Sequence, residues 1–369
     1  MKPNRNSVIV YHVIFGAMEL NSPYLWMNGK GSKPLVDELG ITHHGRTETV
    51  NRALTDFGIE HSFGRASKRF EEHYGFKVSP TTVDRATKES ALGCQAYVEE
   101  RLQSGKNDCE QAPNGLSEPM LIELDGCEIR TGTFAPAEGD LQDGQPNRKK
   151  VLAWRDVRVG LARPMSADSK LYVAQMEGYP EVMSQLFSVA TMLGMTEQTD
   201  VVAVADGGQG LREGLENQFS NMQFILDKPH LKKHLYETAS ALGYGEEQQR
   251  QWVHAKLDRI SEGHAEEVLR ELEIQNTDKP NDRLRQFIGY LKRFQDAVDY
   301  DRFKELGYPL GSGEVESAHR SIPQQRLKLP GACWHPDSIN PMLALRVIRA
   351  NGWREDYWAQ RSAATKMAA

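Results

Sequence analysis

The residues best suited to chemistry are acidic side chains that stand next to glycines. Asp125 and Asp206 are each predicted to end an apolar strand, and a glycine follows each of them. A Gly-Ser-Gly turn at residues 311–313 leads into a helix-compatible run whose first turn carries Glu314 and Glu316. Because the backbone is tight where a strand ends beside a glycine, a ligand can approach a carboxylate there. These acids are therefore the candidate catalytic residues.

The chemistry that such a set supports is metal-dependent phosphoryl transfer. Two strand-end aspartates and one glutamate from a later helix can hold two divalent cations, which stabilise the attacking and the leaving oxygens. Hard oxygen ligands favour Mg²⁺ or Mn²⁺ over zinc. On these residues alone, either glutamate could be the third ligand, and an Asp-Gly pair often does no more than end a strand. A separate zinc site on Asp227, His230 and His234 is a further alternative, because their spacing places them on one helical face.

Residues N-terminal to these acids are predicted to form helices that could contact DNA. A helix over residues 63–73 is followed by a glycine turn and then by Ser79-Pro80, which is typical of an N-cap and a first helical residue. The next helix exposes Thr82, Arg85 and Lys88, the candidate DNA-binding side chains. This arrangement is typical of a helix-turn-helix. An ordinary helical hairpin would have the same pattern.

The middle of the chain alternates strand and helix patterns, which predicts a mixed α/β sheet. The predicted strands cover residues 120–126, 150–161, 171–176, 199–206 and 222–227. Residues 237–303 carry no strand signal and are predicted to be a helical insertion. The predicted regions are 1–115 (mostly helical DNA-binding region, with a polar linker over 103–117), 116–236 (first part of the sheet core), 237–305 (helical insertion) and 306–369 (completion of the core and C-terminal helices).

The composition predicts a globular protein of a reducing cytoplasm. The 369 residues are 39% hydrophobic and 26% charged, and the four cysteines form no CxxC pair, so neither a zinc ribbon nor a disulfide scaffold is expected. No apolar run reaches the ~20 residues that a membrane helix needs, and His12 interrupts the run at residues 7–18, so export is not expected. Because the net charge is −6, contacts with nucleic acid must come from local basic patches.

The order of these acids and of the segments between them resembles the catalytic core of DDE transposases. Strand-Asp125-Gly, strand-Asp206-Gly-Gly, Asp227-Lys-Pro-His230, a helical insertion and Gly-Ser-Gly-Glu-Val-Glu316 follow one another. The closer likeness is to bacterial insertion-sequence transposases related to the Mutator type. The resemblance implies a ribonuclease-H-like core with a helical insertion. It also implies Asp125, Asp206 and Glu316 as catalytic residues and as ligands of two Mg²⁺ or Mn²⁺ ions.

The resemblance further assigns roles to residues around this set. It favours Glu316 over Glu314, because the family motif leaves the earlier position variable. It gives Asp227 and His230 a structural or DNA-positioning role in preference to a zinc site. Basic residues that follow the glutamate are expected to meet DNA phosphates, with a solvated basic face as the alternative. They are Arg320, Arg326 and Lys328.

The function implied is that of a DNA transposase. Such a protein binds the terminal inverted repeats of its insertion sequence and catalyses strand cleavage and strand transfer into target DNA. The implied partners are double-stranded DNA and further copies of the chain, in a homo-oligomeric synaptic complex at the nucleoid. The alternatives are a catalytically inactive or domesticated transposase-derived DNA-binding protein and, third, a ribonuclease-H-like nuclease that acts on other substrates.

Overall fold

Two compact units alternate along the chain. The computed structural model describes residues 5–27, 30–38, 45–108, 116–136, 148–176 and 178–368. Unit 1 comprises Met1–Arg101, Glu128–Arg155 and Arg320–Ala369, and unit 2 comprises Leu102–Cys127 and Asp156–His319. This division differs from the four consecutive regions predicted from the sequence, because two long strands and one long helix each begin in one unit and end in the other.

Helices dominate the described residues, and the strands form two sheets. The strands are β1 (Arg5–Val13), β2 (Gly16–Met27), β3 (Lys30–Ser32), β4 (Met120–Pro136), β5 (Arg148–Pro164), β6 (Leu171–Gln175), β7 (Val201–Ala205) and β8 (Met222–Leu226). The helices are α1 (Pro34–Glu38), α2 (Glu48–Glu60), α3 (Phe63–Tyr74), α4 (Pro80–Asp108), α5 (Tyr179–Met192), α6 (Leu211–Gln218), α7 (Lys228–Ala241), α8 (Glu246–Ser261), α9 (Ala265–Asp278), α10 (Asp282–Arg293), α11 (Tyr300–Glu305), α12 (Gly313–His319), α13 (Gln325–Leu327), α14 (Ile339–Ala350) and α15 (Arg354–Ala368).

In unit 1, helices α2, α3 and the first turns of α4 share an apolar core. Gly75 ends α3 in the left-handed conformation, with φ of +75°, which favours glycine. Ser79 Oγ accepts a hydrogen bond from the Thr82 N–H at 3.0 Å, so the predicted N-cap of α4 is confirmed. The antiparallel sheet β1-β2-β3 precedes these helices, so the N-terminal region is helical only in part. The core side chains are Val50, Ala53, Leu54, Ala66, Phe70, Val83 and Ala86.

Helix α4 extends further than the sequence pattern indicates. The predicted linker begins at residue 103, whereas the helix continues to Asp108. The reason is that small and apolar residues continue to recur every three to five positions along one face, past residue 103, which keeps that face buried. The buried members are Val83, Ala86, Ala91, Cys94, Val98, Leu102 and Gly105. Residues 109–115 of the predicted linker lie outside the described part of the chain.

Unit 2 is built on a mixed five-stranded sheet in the order β6-β5-β4-β7-β8. Strand β4 runs parallel to β7, and β7 runs parallel to β8, whereas β5 and β6 are antiparallel. All five residues of β7 are buried, as expected of a central parallel strand that is covered on both faces. The predicted mixed α/β sheet is therefore confirmed, with α5 and α6 as the connections around β7.

The sequence pattern predicts that strand β4 ends at Asp125, but the structure shows that it does not. Its parallel pairing with β7 ends at Leu124, but the strand itself continues to Pro136. The residues after Gly126 therefore extend the strand and do not turn back onto it. Ile129 and Thr131 are buried whereas Glu128 and Arg130 are exposed, and this alternation of period two sustains an extended strand.

The segment between β8 and α12 is helical, and comprises α7 to α11 with one 3₁₀ turn at Gln295–Ala297. Helix α12 begins at Gly313, the last residue of the Gly-Ser-Gly turn, and a π-helical turn at Arg320–Gln324 follows it directly. Helix α14 is buried along most of its length. None of the helices in the described ranges combines the length and the hydropathy that a membrane crossing requires.

Candidate active site

Three aspartates lie side by side where the pairing of the parallel strands in the unit 2 sheet ends. Leu124 of β4 pairs with Ala205 of β7, and Ala205 pairs with Leu226 of β8. The next residue along each of these parallel strands is an aspartate, namely Asp125, Asp206 and Asp227. Because parallel strands in register reach the same edge together, the sheet brings the two predicted strand-end aspartates to neighbouring positions and places Asp227 beside them.

The first two aspartates are held by local backbone. Asp125 Oδ1 accepts a hydrogen bond from the Gly126 N–H at 2.7 Å, and Asp206 Oδ1 accepts one from the Gly208 N–H at 2.9 Å. Asp125 Oδ2 also lies 3.5 Å from Nε2 of His319, which is buried at the end of α12. One oxygen of each carboxylate is thus held by a backbone N–H that lies one or two residues later in the chain.

The glycines after these aspartates allow side chains to approach the backbone closely. A Cβ at Gly126 would lie 2.1 Å from Nη1 of Arg158, and a Cβ at Gly207 would lie 2.2 Å from the ring of Tyr290. At Gly207 a side chain would displace the Tyr290 ring, so this position favours glycine, whereas at Gly126 the contact is with the end of the flexible Arg158 side chain, which can shift. Arg158 in turn stacks over the ring of Tyr179 at 4.6 Å. The site therefore includes a guanidinium and two phenols that the sequence analysis did not single out.

Negative charge is concentrated around Tyr179 and His230. Burial raises the pKa of Tyr179, and the charges of Asp206 and Asp125 raise it further. The hydrogen bond to Asp227 raises the pKa of His230, and the charges of Asp206 and Asp125 act in the same direction. Both side chains therefore lie within the electrostatic reach of the two predicted catalytic aspartates.

Asp227 is fully buried and links the start of α7 to the turn before α12. Its Oδ1 accepts a hydrogen bond from the His230 N–H at 2.8 Å, which caps α7. Its Oδ2 accepts hydrogen bonds from the Ser312 N–H at 2.8 Å and from the Ser312 hydroxyl at 2.6 Å. Burial raises the pKa of Asp227, but the hydrogen bonds from His230 and Ser312 outweigh it and lower this pKa to about 2. The start of α7 is thereby tied to the turn before α12.

Glu316 lies close to Asp227. One oxygen of its carboxylate, one of Asp227 and one ring nitrogen of His230 all lie within 4.8 Å of one another, so these three side chains could hold a metal ion. His234, the third member of the alternative zinc set, does not belong to this group. Its Nδ1 lies 2.9 Å from a guanidinium nitrogen of Arg283, and its ring lies against Tyr290.

The structure separates the two glutamates of α12. Glu314 Oε1 accepts a hydrogen bond from Arg163 Nε at 2.8 Å, and its Oε2 accepts one from Lys170 Nζ at 2.7 Å. Burial raises the pKa of Glu314, but these two cations lower it overall. The Glu316 side chain is exposed instead. Glu314 is thus engaged in ion pairs, and Glu316 is the member whose carboxylate is presented beside Asp227 and His230.

A further acid, Glu123, was missed by the sequence analysis. It lies two residues before Asp125 on β4 and is 1% exposed. One of its carboxylate oxygens accepts a hydrogen bond from the Val315 N–H of α12 at 2.8 Å. Burial raises the pKa of Glu123 to about 7. The signal available in the sequence was a single charged residue inside the apolar run Met-Leu-Ile-Glu-Leu, where a charge is retained only with a partner.

The predicted DNA-binding residues lie in unit 1. On α4, Arg85 is exposed, Thr82 is half-buried and Lys88 pairs with Asp84 at 2.9 Å. After α12, Arg320 and Lys328 are exposed.

Arg326 departs from its predicted role as a phosphate contact. Its side chain is almost fully buried, and Nε donates a hydrogen bond to the Gly58 carbonyl at 2.7 Å. The guanidinium lies over the rings of Phe63 and Trp334, at 4.6 and 4.7 Å from their centroids. These contacts occupy both the edge and the faces of the group inside unit 1, so Arg326 is a structural residue.

Comparison with known proteins gives limited similarity. A scan against known protein families finds no match. The chain is 26% identical over 166 residues to a Streptococcus gallolyticus protein described as "UPF0236 protein in vanSb 3'region", a match that spans 44% of this chain and 36% of that relative's length. Among solved structures, the Drosophila P element transposase strand transfer complex aligns with a TM-score of 0.38 at 12% identity, over 82% of this chain and 92% of that one. A TM-score of this size is too low to assign a fold.

Proposed function

We propose that this protein is a DDE-type DNA transposase that binds the terminal inverted repeats of an insertion sequence and catalyses metal-dependent strand cleavage and strand transfer. The observation that carries this proposal is the register of β4, β7 and β8, because Asp125 and Asp206 directly follow the paired residues of adjacent strands. Helix α12 adds Glu316 to the same group of side chains as Asp227, which directly follows the third of these strands.

The architecture of unit 2 supports a ribonuclease-H-like core. The sheet is mixed, with helices between its parallel strands. A long helical segment separates β8 from α12, as the resemblance to bacterial insertion-sequence transposases of the Mutator-related type implies. The aspartates and the glutamate of the proposed catalytic set thus come from two strands and from the helix that follows this segment.

The donor set fits two Mg²⁺ or Mn²⁺ ions. Asp125, Asp206 and Glu316 offer only carboxylate oxygens, the donors that these hard cations prefer. Ions bound there would stabilise the attacking and leaving oxygens of a phosphoryl displacement. Asp227 already accepts hydrogen bonds from three donor groups, so its role is to position His230 and the turn before α12. This is the structural role that the family resemblance assigns to it.

Other residues of the site are suited to hold the DNA strand. The Arg158 guanidinium, stacked on Tyr179 beside Gly126, can donate to a phosphate oxygen. Arg85, Thr82 and Lys88 would contact the DNA ends from α4. Arg320 and Lys328 would add phosphate contacts. Assembly of two ends into a homo-oligomeric synaptic complex at the nucleoid completes the proposal.

The test is cleavage and strand transfer on DNA that carries the inverted repeats flanking the gene. With Mg²⁺, the wild-type protein is expected to nick and join these ends, and Asp206→Ala is expected to lower the rate by about 100-fold or more, because a carboxylate ligand of the proposed ions is lost. Glu213→Gln, which changes an exposed acid on α6, serves as the control and should leave the rate unchanged. Equal inactivity of wild type and Asp206→Ala on the correct ends would refute catalysis and favour a non-catalytic DNA-binding protein.

A further inference from the structure

We infer that Glu123 is a positioning residue that sets the place of Glu316 in the metal site. The inference rests on the proposed function, because it takes Glu316 to be a metal ligand. Glu123 lies on the strand that carries Asp125, and side chains two residues apart on a strand point to the same face. Its hydrogen bond from the Val315 N–H, at 2.8 Å, joins that strand directly to the helix of Glu316.

The hydrogen bond meets a need that α12 cannot meet by itself. The first N–H groups of a helix have no carbonyl partner within the helix, and Val315 is the third residue of α12. Its side chain is fully buried, so water does not reach the backbone there easily. The Glu123 carboxylate supplies the missing acceptor, and it does so immediately before Glu316 in the chain.

A second anchor lies three residues earlier. The Ser312 N–H and hydroxyl both donate to Asp227 Oδ2, at 2.8 and 2.6 Å. Helix α12 is only seven residues long, and a helix of that length has little stability of its own. Two buried carboxylates, one on β4 and one after β8, therefore fix both the position and the rotation of the turn from which Glu316 projects.

The length of the Glu123 side chain is what this role requires. Glu123→Gln keeps a carbonyl oxygen at the same reach and is expected to preserve the hydrogen bond. Glu123→Asp keeps the carboxylate but withdraws it by one methylene, and Glu123→Leu removes the acceptor. A role in positioning thus predicts that Gln rescues whereas Asp and Leu do not, although Asp is closer to Glu in charge.

The experiment is an Mn²⁺ titration of the full-length protein without DNA, followed by the electron paramagnetic resonance signal of free Mn²⁺. Loss of an outer residue that orients a metal ligand weakens metal binding by about 10- to 100-fold. We expect a weakening of this order for Glu123→Asp and Glu123→Leu, and a change of less than about threefold for Glu123→Gln. Glu213→Gln, which changes an exposed acid on α6, is the control and should bind Mn²⁺ like the wild type.

Each outcome of the titration has a distinct meaning. If Asp and Leu variants that are folded by circular dichroism bind Mn²⁺ as tightly as the wild type, Glu123 has only a structural role and the inference is wrong. If Glu123→Leu does not fold, the Mn²⁺ affinities of Glu123→Gln and Glu123→Asp decide instead, and equal affinities of these two variants would contradict the inference. If the wild type itself binds no Mn²⁺, the proposed metal site falls first, and the positioning role falls with it.

Discussion

Glu314 and Glu316 lie on one turn of α12, yet the structure gives them different surroundings. We expect Glu316→Gln to lower strand cleavage by about 100-fold or more, because a neutral amide is a poor ligand for a hard cation. Glu314→Gln should keep cleavage within a few-fold of the wild type, because it removes only ion pairs with Arg163 and Lys170. Cleavage rates of both variants at saturating Mg²⁺ provide the measurement. The reverse order of activities would make Glu314 the ligand.

At the level of residues, the sequence predicts which side chains are acidic and beside glycine, but not what they touch. The positions of Asp125 and Asp206 follow from apolar runs that are local in the chain. The partner of Glu123 is Val315, which lies 192 residues away in the sequence. A pattern of neighbouring residues therefore cannot reveal this contact. The same holds for Gly207, where the preference for glycine comes from the ring of Tyr290. Arg326 was misassigned because a basic residue beside apolar ones has the same local pattern whether it is exposed or stacked between rings.

At the scale of elements, Arg212 contributes one of the contacts between the helical segment of unit 2 and the sheet region. Arg212 of α6 donates from two guanidinium nitrogens to the Asp296 carboxylate, at 2.8 and 2.6 Å. The hydrogen bonds from Arg212 lower the pKa of Asp296 below its ordinary value of 3.8. A group with a depressed folded pKa adds stability above its unfolded pKa and loses it as the pH falls through the folded value.

Replacement of this carboxylate therefore has a pH-dependent effect. At pH 7, Asp296→Asn should lower the free energy of unfolding by less than about 1 kcal/mol, because the Asp296 side chain is 60% exposed and solvent screens the pair. The difference from the wild type should shrink as the pH falls below 3.8, the ordinary pKa of the group. Urea unfolding at a series of pH values tests this. A difference that grows in acid would contradict it.

Helix α4 is the element from which DNA contact is predicted. Arg85→Ala should weaken binding of the inverted repeats and lower the slope of log affinity against log salt by ~1, because one phosphate contact is lost. Arg270→Ala removes another exposed arginine, on α9, and is the control. Fluorescence anisotropy at several salt concentrations gives both numbers. Equal effects of the two variants would mean that α4 has no special role.

Elements were predicted where their pattern is strong and local. The buried run of β7 and the capped start of α4 follow directly from residue type. The ends of long elements did not follow, since β4 passes Asp125 and α4 passes residue 103. In both cases the sequence predicts that the element ends, at Gly126 or at the polar residues after Leu102. Burial of one face, which is a tertiary effect, extends the element instead.

At the scale of the whole molecule, the two proposed activities fall in different units. The predicted DNA contacts of α4, Arg320 and Lys328 belong to unit 1, and Asp125, Asp206 and Glu316 belong to unit 2. Removal of divalent cations with EDTA should therefore abolish cleavage and leave the affinity for duplex DNA within about threefold, because DNA binding of this kind depends on cationic side chains. Addition of Mg²⁺ should restore cleavage. Parallel loss of DNA binding in EDTA would show that the ions also build the DNA-binding surface.

The alternation of the two units along the chain has a consequence for synthesis. Unit 1 needs both its first hundred residues and its last fifty, since Arg346 of α14 donates to the Ile59 carbonyl at the end of α2 and Arg326 donates to the Gly58 carbonyl. A nascent chain emerges N-terminus first, so helix α2 is synthesised well before the residues of unit 1 that donate to its last carbonyls. If unit 1 binds DNA as we propose, we expect an early stop codon to leave a fragment that does not fold into a DNA-binding unit.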